Sequence, residues 1–177
     1  ENYKGESTKF TMCLELIETL KENGKKVLLF SSFTSIFDSF IEEFKQRGIK
    51  YHMITGAVDK KKRKEEVDAF QSDDSDVFLI SLKAGGTGLN LTKAQAVIHY
   101  DPWWNVSAQN QATDRAYRIG QTKNVLVYQL LMKNTIEAKI YEMQKRKKEM
   151  SDIFVENSNG GISTLSKEEL RDLFSME

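Results

Sequence analysis

Residues 25–48, KKVLLFSSFTSIFDSFIEEFKQRG, decide the fold class. Val27, Leu28, Leu29 and Phe30 form an apolar run with no polar alternation. That is the pattern of a strand covered on both faces, the habit of parallel sheets. From 35 to 47, Ile36, Phe37, Phe40, Ile41 and Phe44 recur at helical spacing, and Gly48 ends the helix. A buried strand followed by an amphipathic helix is half of a βαβ unit.

The same grammar extends in both directions. Residues 8–23 read as a helix, with Phe10, Cys13, Leu14, Ile17 and Leu20 on one face and Gly24 after it. Strands are predicted at 51–54, 77–80, 96–100 and 125–132. Helices are predicted at 60–71, 106–118 and 135–154. The alternation predicts an α/β domain, a mainly parallel β-sheet with helices on both faces. Residues 156–164, with Asn-Ser-Asn-Gly-Gly, read as a flexible linker. Residues 166–174 follow as a short helix, opened by Ser166 with Glu169 three places on as a capping box.

Composition narrows the function classes. A chain of 177 residues is enough for one domain with a short appendage. Twenty-six basic and 26 acidic side chains sum to zero, so any nucleic-acid contact must come from local patches. A hydrophobic content of 40% excludes a disordered tail. The single Cys13 excludes an internal disulfide and fits a reducing compartment. With only His52 and His99 beside it, no zinc site is expected. No apolar run approaches the roughly 18 residues that span a bilayer, so no membrane partner is expected.

In open parallel sheets ligands meet the carboxyl ends of the strands, and two segments there and a helix after them carry chemistry. After the third strand, Gly85, Gly86 and Gly88 bring backbone N–H groups close together beside Lys83 and Thr87. This loop suits an anion or a ribose, and equally a tight turn. It is not a P-loop, because G-x-x-x-x-G-K-[ST] occurs nowhere in the chain. After the fourth strand comes Asp101-Pro102-Trp103-Trp104-Asn105, which holds the only proline and both tryptophans. Two adjacent Trp in a loop cannot both face one core. One reading sets them under the sheet edge, the other exposes one of them for stacking or groove insertion.

The third segment is QATDRAYRIGQ, 111–121. Only six of the basic residues are Arg, against 20 Lys. Arg115 and Arg118 are three apart and share a helix face, with Gln111 four before the first and Asp114 four before the second. Guanidinium forks suit phosphate oxygens better than ammonium does. The other reading is an exposed helix with intrahelical ion pairs, although a solvated face in so Lys-rich a chain is expected to carry Lys. Basic runs also occur at Lys60, Lys61, Lys62, Arg63 and Lys64 and at Lys145, Arg146, Lys147 and Lys148. The first opens a helix and opposes its dipole, so a phosphate is one candidate for what favours it, and a solvated face the other.

Together these segments resemble the second RecA-like lobe of a Swi/Snf-type ATPase of helicase superfamily two. KKVLLFSSFT is similar to motif four, SLKAGGTGLNLTKAQAVIHYDPWWN to motif five with its extension, and QATDRAYRIGQ to motif six. The opening STKFTMCLELIETL and the closing NTIEAKIYEMQKRKKEM resemble the family as well. The chain departs from it at Ser32, Gln95, Val106 and Tyr117, where Gln, Asp, Pro and His are usual.

The resemblance implies a RecA-like lobe over 1–150 with a brace helix at about 135–154, then 155–177 as linker and short helix. Arg115 and Arg118 would be arginine fingers, with Gly86, Thr87, Gly88, Gln111 and Asp114 on the ATP side. Ser31, Ser32, Thr55, Gly56, Lys83, Trp104 and Asn105 would face double-stranded DNA. ATP and Mg²⁺ would be bound mainly by a first RecA-like lobe of the same polypeptide, of which this chain would be the inactive half. The chain begins at Glu1 without Met, so truncation from a longer polypeptide is expected. DNA-bound protein is the expected cargo. The expected location is cytoplasm or nucleoid in a bacterium and nucleus in a eukaryote. The competing readings are a complete nucleotide-binding enzyme using the glycine loop, or a lobe kept only for binding.

Overall fold

The computed structural model describes residues 8–85, 89, 91–102, 124–133, 135, 137–139, 141, 142, 145 and 146, with the side chain of Lys83 outside that set. Their elements are α1 (Thr8–Glu22), β1 (Val27–Ser31), α2 (Ser35–Arg47), β2 (Tyr51–Ile54), α3 (Lys60–Ser72), β3 (Val77–Ser81), α4 (Leu82–Gly85), β4 (Ala96–His99) and β5 (Leu126–Gln129). The strands form one sheet in the order β2-β3-β1-β4-β5. Every pairing is parallel, with Val27 opposite Val77 and Ala96, and Ala96 opposite Leu126.

Apolar runs without alternation arise because both faces of the sheet are dry. Along β1, Leu28 and Phe30 enter a core with Val67 and Phe70 of α3. Val27 and Leu29 enter the opposite core, with Ile17 of α1 and Phe37, Phe40 and Phe44 of α2. β3 divides in the same way, Phe78 and Ile80 to one side, Val77 and Leu79 to the other. Each such side chain contributes about 1.5–3 kcal/mol by leaving water, so a polar residue at any of these positions would be costly. Phe40 sits centrally, with ring centroids 4.6 Å from Phe10 and 5.5 Å from Tyr100. Gly48 ends α2 at φ 61°, a left-handed conformation, and its N–H caps Phe44 O.

Two local expectations differ from what forms. The fifth strand is Leu126–Gln129 rather than 125–132. Its ladder ends at Gln129 because the partner strand ends opposite it, at His99. As an edge strand it is wetter, with Leu126 and Val127 exposed. Residues 82–85, read as loop, form one helical turn. The 106–118 helix and the 156–164 linker lie outside the described residues.

The chain divides into two compact units, Glu1–Ala138 and Lys139–Glu177. The sheet belongs to the first. In the second, Lys139, Tyr141, Glu142, Lys145 and Arg146 are helical. No helix of the described residues is long and apolar enough to cross a membrane.

Candidate functional site

The carboxyl edge of the sheet gathers the ends of β1, β3 and β4. Ser31 and Ser81 stand opposite each other in register. Ser31 is fully buried, and its hydroxyl donates to Asp101 Oδ2 at 2.6 Å. The same oxygen accepts the Ser32 N–H at 3.0 Å. Ser31 Oγ in turn accepts the Phe33 N–H at 3.1 Å. Ser32 is exposed, and the Phe33 side chain is 65% exposed. The Ser81 hydroxyl is buried and has no hydrogen-bond partner among the described residues.

Thr55 and Gly56 follow β2, Thr55 half-buried and Gly56 exposed, in a turn closed by Val58 N–H to Thr55 O at 3.2 Å. β3 lies between β2 and β1, so this loop stands about two strand spacings, roughly 10 Å, from Ser31. The edge therefore brings Ser31 and Ser32 together and sets Thr55 and Gly56 apart from them. Next in sequence, Asp59 caps the basic helix α3, accepting Lys62 N–H on its side chain at 2.9 Å. Lys60, Lys61, Lys62 and Lys64 are exposed around it. Part of what favours cations at this helix start is thus the carboxylate one residue before them.

Beneath β4 the environment is apolar. His99 is fully buried and stacks on Phe30 at 5.6 Å. Burial pushes its pKa down to about 4, so it is a neutral core residue near neutral pH. Cys13 lies within the influence of Lys9 and Asp101. Burial pushes its thiol up to about 12, against the opposing effect of Lys9 and with a smaller push from Asp101. Lys9 is buried over the Tyr100 ring, 4.8 Å from the centroid, and paired with Glu137. Among the described residues no three His, Cys, Asp or Glu converge as a metal site.

The model of the helicase conserved C-terminal domain matches residues 8–120. The chain belongs to this family. An uncharacterised ATP-dependent helicase of Mycoplasma pneumoniae is 44% identical over 170 residues, covering 95% of this chain and 16% of that protein. The chromatin-remodelling ATPase INO80 of Candida albicans is 40% identical over 158 residues, 89% of this chain and 11% of that protein. The crystal structure of the C-terminal part of the Fun30 ATPase domain superposes with a TM-score of 0.75 at 35% identity, covering 80% of this chain and 47% of that one. The fold is therefore that of the second, RecA-like lobe of Swi/Snf-type ATP-dependent helicases. The chain spans less than a fifth of the length of these two helicase relatives.

Of the residues that the motifs single out in this helicase lobe, Gly86, Thr87, Gly88, Trp104, Asn105, Gln111, Asp114, Arg115 and Arg118 lie outside the described residues, as does the Lys83 side chain. The motifs assign no role to Asp101, Asp59 or the Lys9–Glu137 pair. A hydrophilic residue directly after an apolar strand was the only signal for Asp101. Asp59 was legible as a cap before a helical pattern. Glu137 carried no local signal for Lys9.

Proposed function

We propose that this lobe is the second half of an ATP-dependent double-stranded DNA translocase or remodeller, and that it is inactive without the first lobe. The observation that carries the reading is the QATDRAYRIGQ segment, 111–121, within a chain that belongs to the helicase C-terminal domain family. ATP is the substrate, and its Mg²⁺ neutralises charge on the β- and γ-phosphates when bound by the first lobe. Arg115 and Arg118 present two guanidinium forks to the transferring phosphoryl group. Such a contribution is worth about 10³–10⁵ in rate. Gln111 and Asp114 support the two arginines, and Gly86, Thr87 and Gly88 offer backbone N–H groups to the nucleotide side of the cleft.

Duplex DNA meets the other side. Ser32, Thr55, Gly56 and Lys83 contact the phosphate backbone, Ser31 holds the loop that carries Ser32, and Trp104 and Asn105 reach the groove. ATP turnover drives the two lobes along the duplex, against a cargo of DNA-bound protein. The compartment is the one that holds the DNA, the nucleus in a eukaryote and the cytoplasm with its nucleoid in a bacterium.

The test compares the isolated chain with the full-length protein. The chain alone shows no ATP turnover and only weak, salt-sensitive duplex binding. Full-length protein turns over ATP and accelerates with duplex DNA. Arg115→Ala or Arg118→Ala lowers its kcat about 10³-fold or more while duplex affinity holds. Full turnover in both variants overturns the finger assignment, and turnover by the isolated chain overturns the half-motor reading.

A further inference from the structure

We propose that Asp101 is a positioning residue that holds the exposed loop after β1, residues 31–33, in the shape that meets DNA. The inference rests on the motor reading above. It concerns a residue for which the motifs assign no role.

Asp101 lies two residues beyond β4 and is 7% exposed. A carboxylate so far from water is costly unless donors replace its hydration. The donors here come from one place, the loop after β1. Ser31 Oγ–H and Ser32 N–H both point at Oδ2, at 2.6 and 3.0 Å. Phe33 N–H then binds Ser31 Oγ at 3.1 Å. Two consecutive residues thus bind one oxygen 70 and 69 residues away in sequence, and the third binds the Ser31 hydroxyl.

What this order maintains is not the core. None of residues 31–34 belongs to either apolar cluster, and Ser32, Phe33 and Thr34 are exposed. A buried ionic group is seldom the cheapest route to stability, since apolar side chains of similar volume serve as well or better. The carboxylate instead fixes the shape of an exposed loop. The β1 and β4 backbones are also tied here, by Tyr100 N–H to Phe30 O at 2.9 Å.

Asp101 has a second neighbour. Pro102, buried and fixed in φ, follows it directly, and Trp103, Trp104 and Asn105 come next in sequence. One side chain just beyond β4 therefore anchors the Ser31-Ser32-Phe33 loop. A duplex presents its phosphates at fixed spacing, so a loop already held in shape binds it without the ordering cost that a free loop incurs.

The test uses the full-length protein. It reads the duplex concentration giving half-maximal ATPase stimulation, the maximal stimulated rate and the DNA-free rate. Asp101→Ala raises the half-stimulating concentration about tenfold and leaves the DNA-free rate within about twofold. Asp101→Asn keeps an amide oxygen for the same two donors and returns the concentration to within about threefold of wild type. If Asp101→Ala does not fold, Ser31→Ala carries the test, with an expected rise of about fivefold. An unchanged half-stimulating concentration in the folded variants, with only a lower urea midpoint, overturns the proposal by making Asp101 merely structural. So does an Asp101→Asn as impaired as Asp101→Ala, which would make charge rather than geometry the cause. A wild-type ATPase indifferent to DNA overturns the motor reading itself, and this inference with it.

Discussion

Lys9 and Glu137, separated by 128 residues, form a two-pronged ion pair with Nζ 2.7 and 2.8 Å from the two carboxylate oxygens. Lys9 lies on the first turn of α1, and Glu137 also accepts Met132 N–H at 3.2 Å. The pair joins the entry of the lobe to the segment after β5. Lys9 is 7% and Glu137 23% exposed, so removing one partner strands a poorly hydrated charge. Lys9→Met should therefore cost about 3 kcal/mol, and Lys9→Met with Glu137→Leu should recover most of it. Urea unfolding of the two variants decides the matter. Equal losses in the single and double variants would show that packing, not the stranded charge, is responsible.

That pair also marks where sequence reading stops. The runs at 27–30 and 77–80 identify β1 and β3 because burial on both faces leaves no place for a polar residue. β5 is harder to bound, since its exposed Leu126 and Val127 obey no such constraint. The four-residue α4 is too short to show a period. The glycine and arginine motifs are legible because their chemistry is written locally. The contacts of Asp101 with Ser31 and of Lys9 with Glu137 span 70 and 128 residues, so only the sheet order makes them neighbours.

The two histidines should give stability a maximum in pH. His52 lies 2.7 Å from both Glu66 and Asp73, and Lys26 shares the Asp73 carboxylate at 3.4 Å. Burial opposes the imidazolium, but the hydrogen bonds it donates to Asp73 and Glu66 outweigh that and hold its pKa above the ordinary value. Its contribution is complete below about pH 6.5 and is lost as pH rises through the raised value. His99 acts with the opposite sign. Burial holds it at about 4, so the unfolded chain takes up a proton first and stability falls as pH drops from about 6.5 toward 4. Urea midpoints from pH 4.5 to 8.5 should peak near 6.5, and His52→Gln should flatten only the alkaline limb. An alkaline limb unchanged in that variant refutes the His52 assignment.

Cys13 should be chemically silent in the fold. It is fully buried, and burial pushes its thiol up to about 12 against the opposing effect of Lys9, with a smaller upward push from Asp101. The thiolate is the reactive species, so almost none is present at pH 8. An aromatic disulfide reagent should label the 177-residue chain only as fast as it unfolds, and stoichiometrically in urea. Rapid labelling of the folded chain would contradict the burial.

Asp59 should stabilise α3 more than an ordinary cap does, and its effect should depend on salt. Its side chain accepts Lys62 N–H at 2.9 Å, and its carbonyl accepts Arg63 N–H at 3.0 Å. The first turn of α3 contains no acidic residue, and this carboxylate stands directly before the cluster of Lys60, Lys61, Lys62 and Arg63 at the positive end of the helix dipole. Asp59→Ala removes both the cap and that counter-charge, for an expected loss of about 1–2 kcal/mol at low ionic strength. Asp59→Asn retains the acceptor and loses only the charge, so it should cost less. Added salt screens the cationic cluster and should narrow the gap between Asn and wild type, while leaving the loss in the Ala variant near 1 kcal/mol. Thermal unfolding of the three proteins at low and high salt separates the two effects. Equal stability of Asn and wild type at low salt would assign the whole contribution to the hydrogen bond.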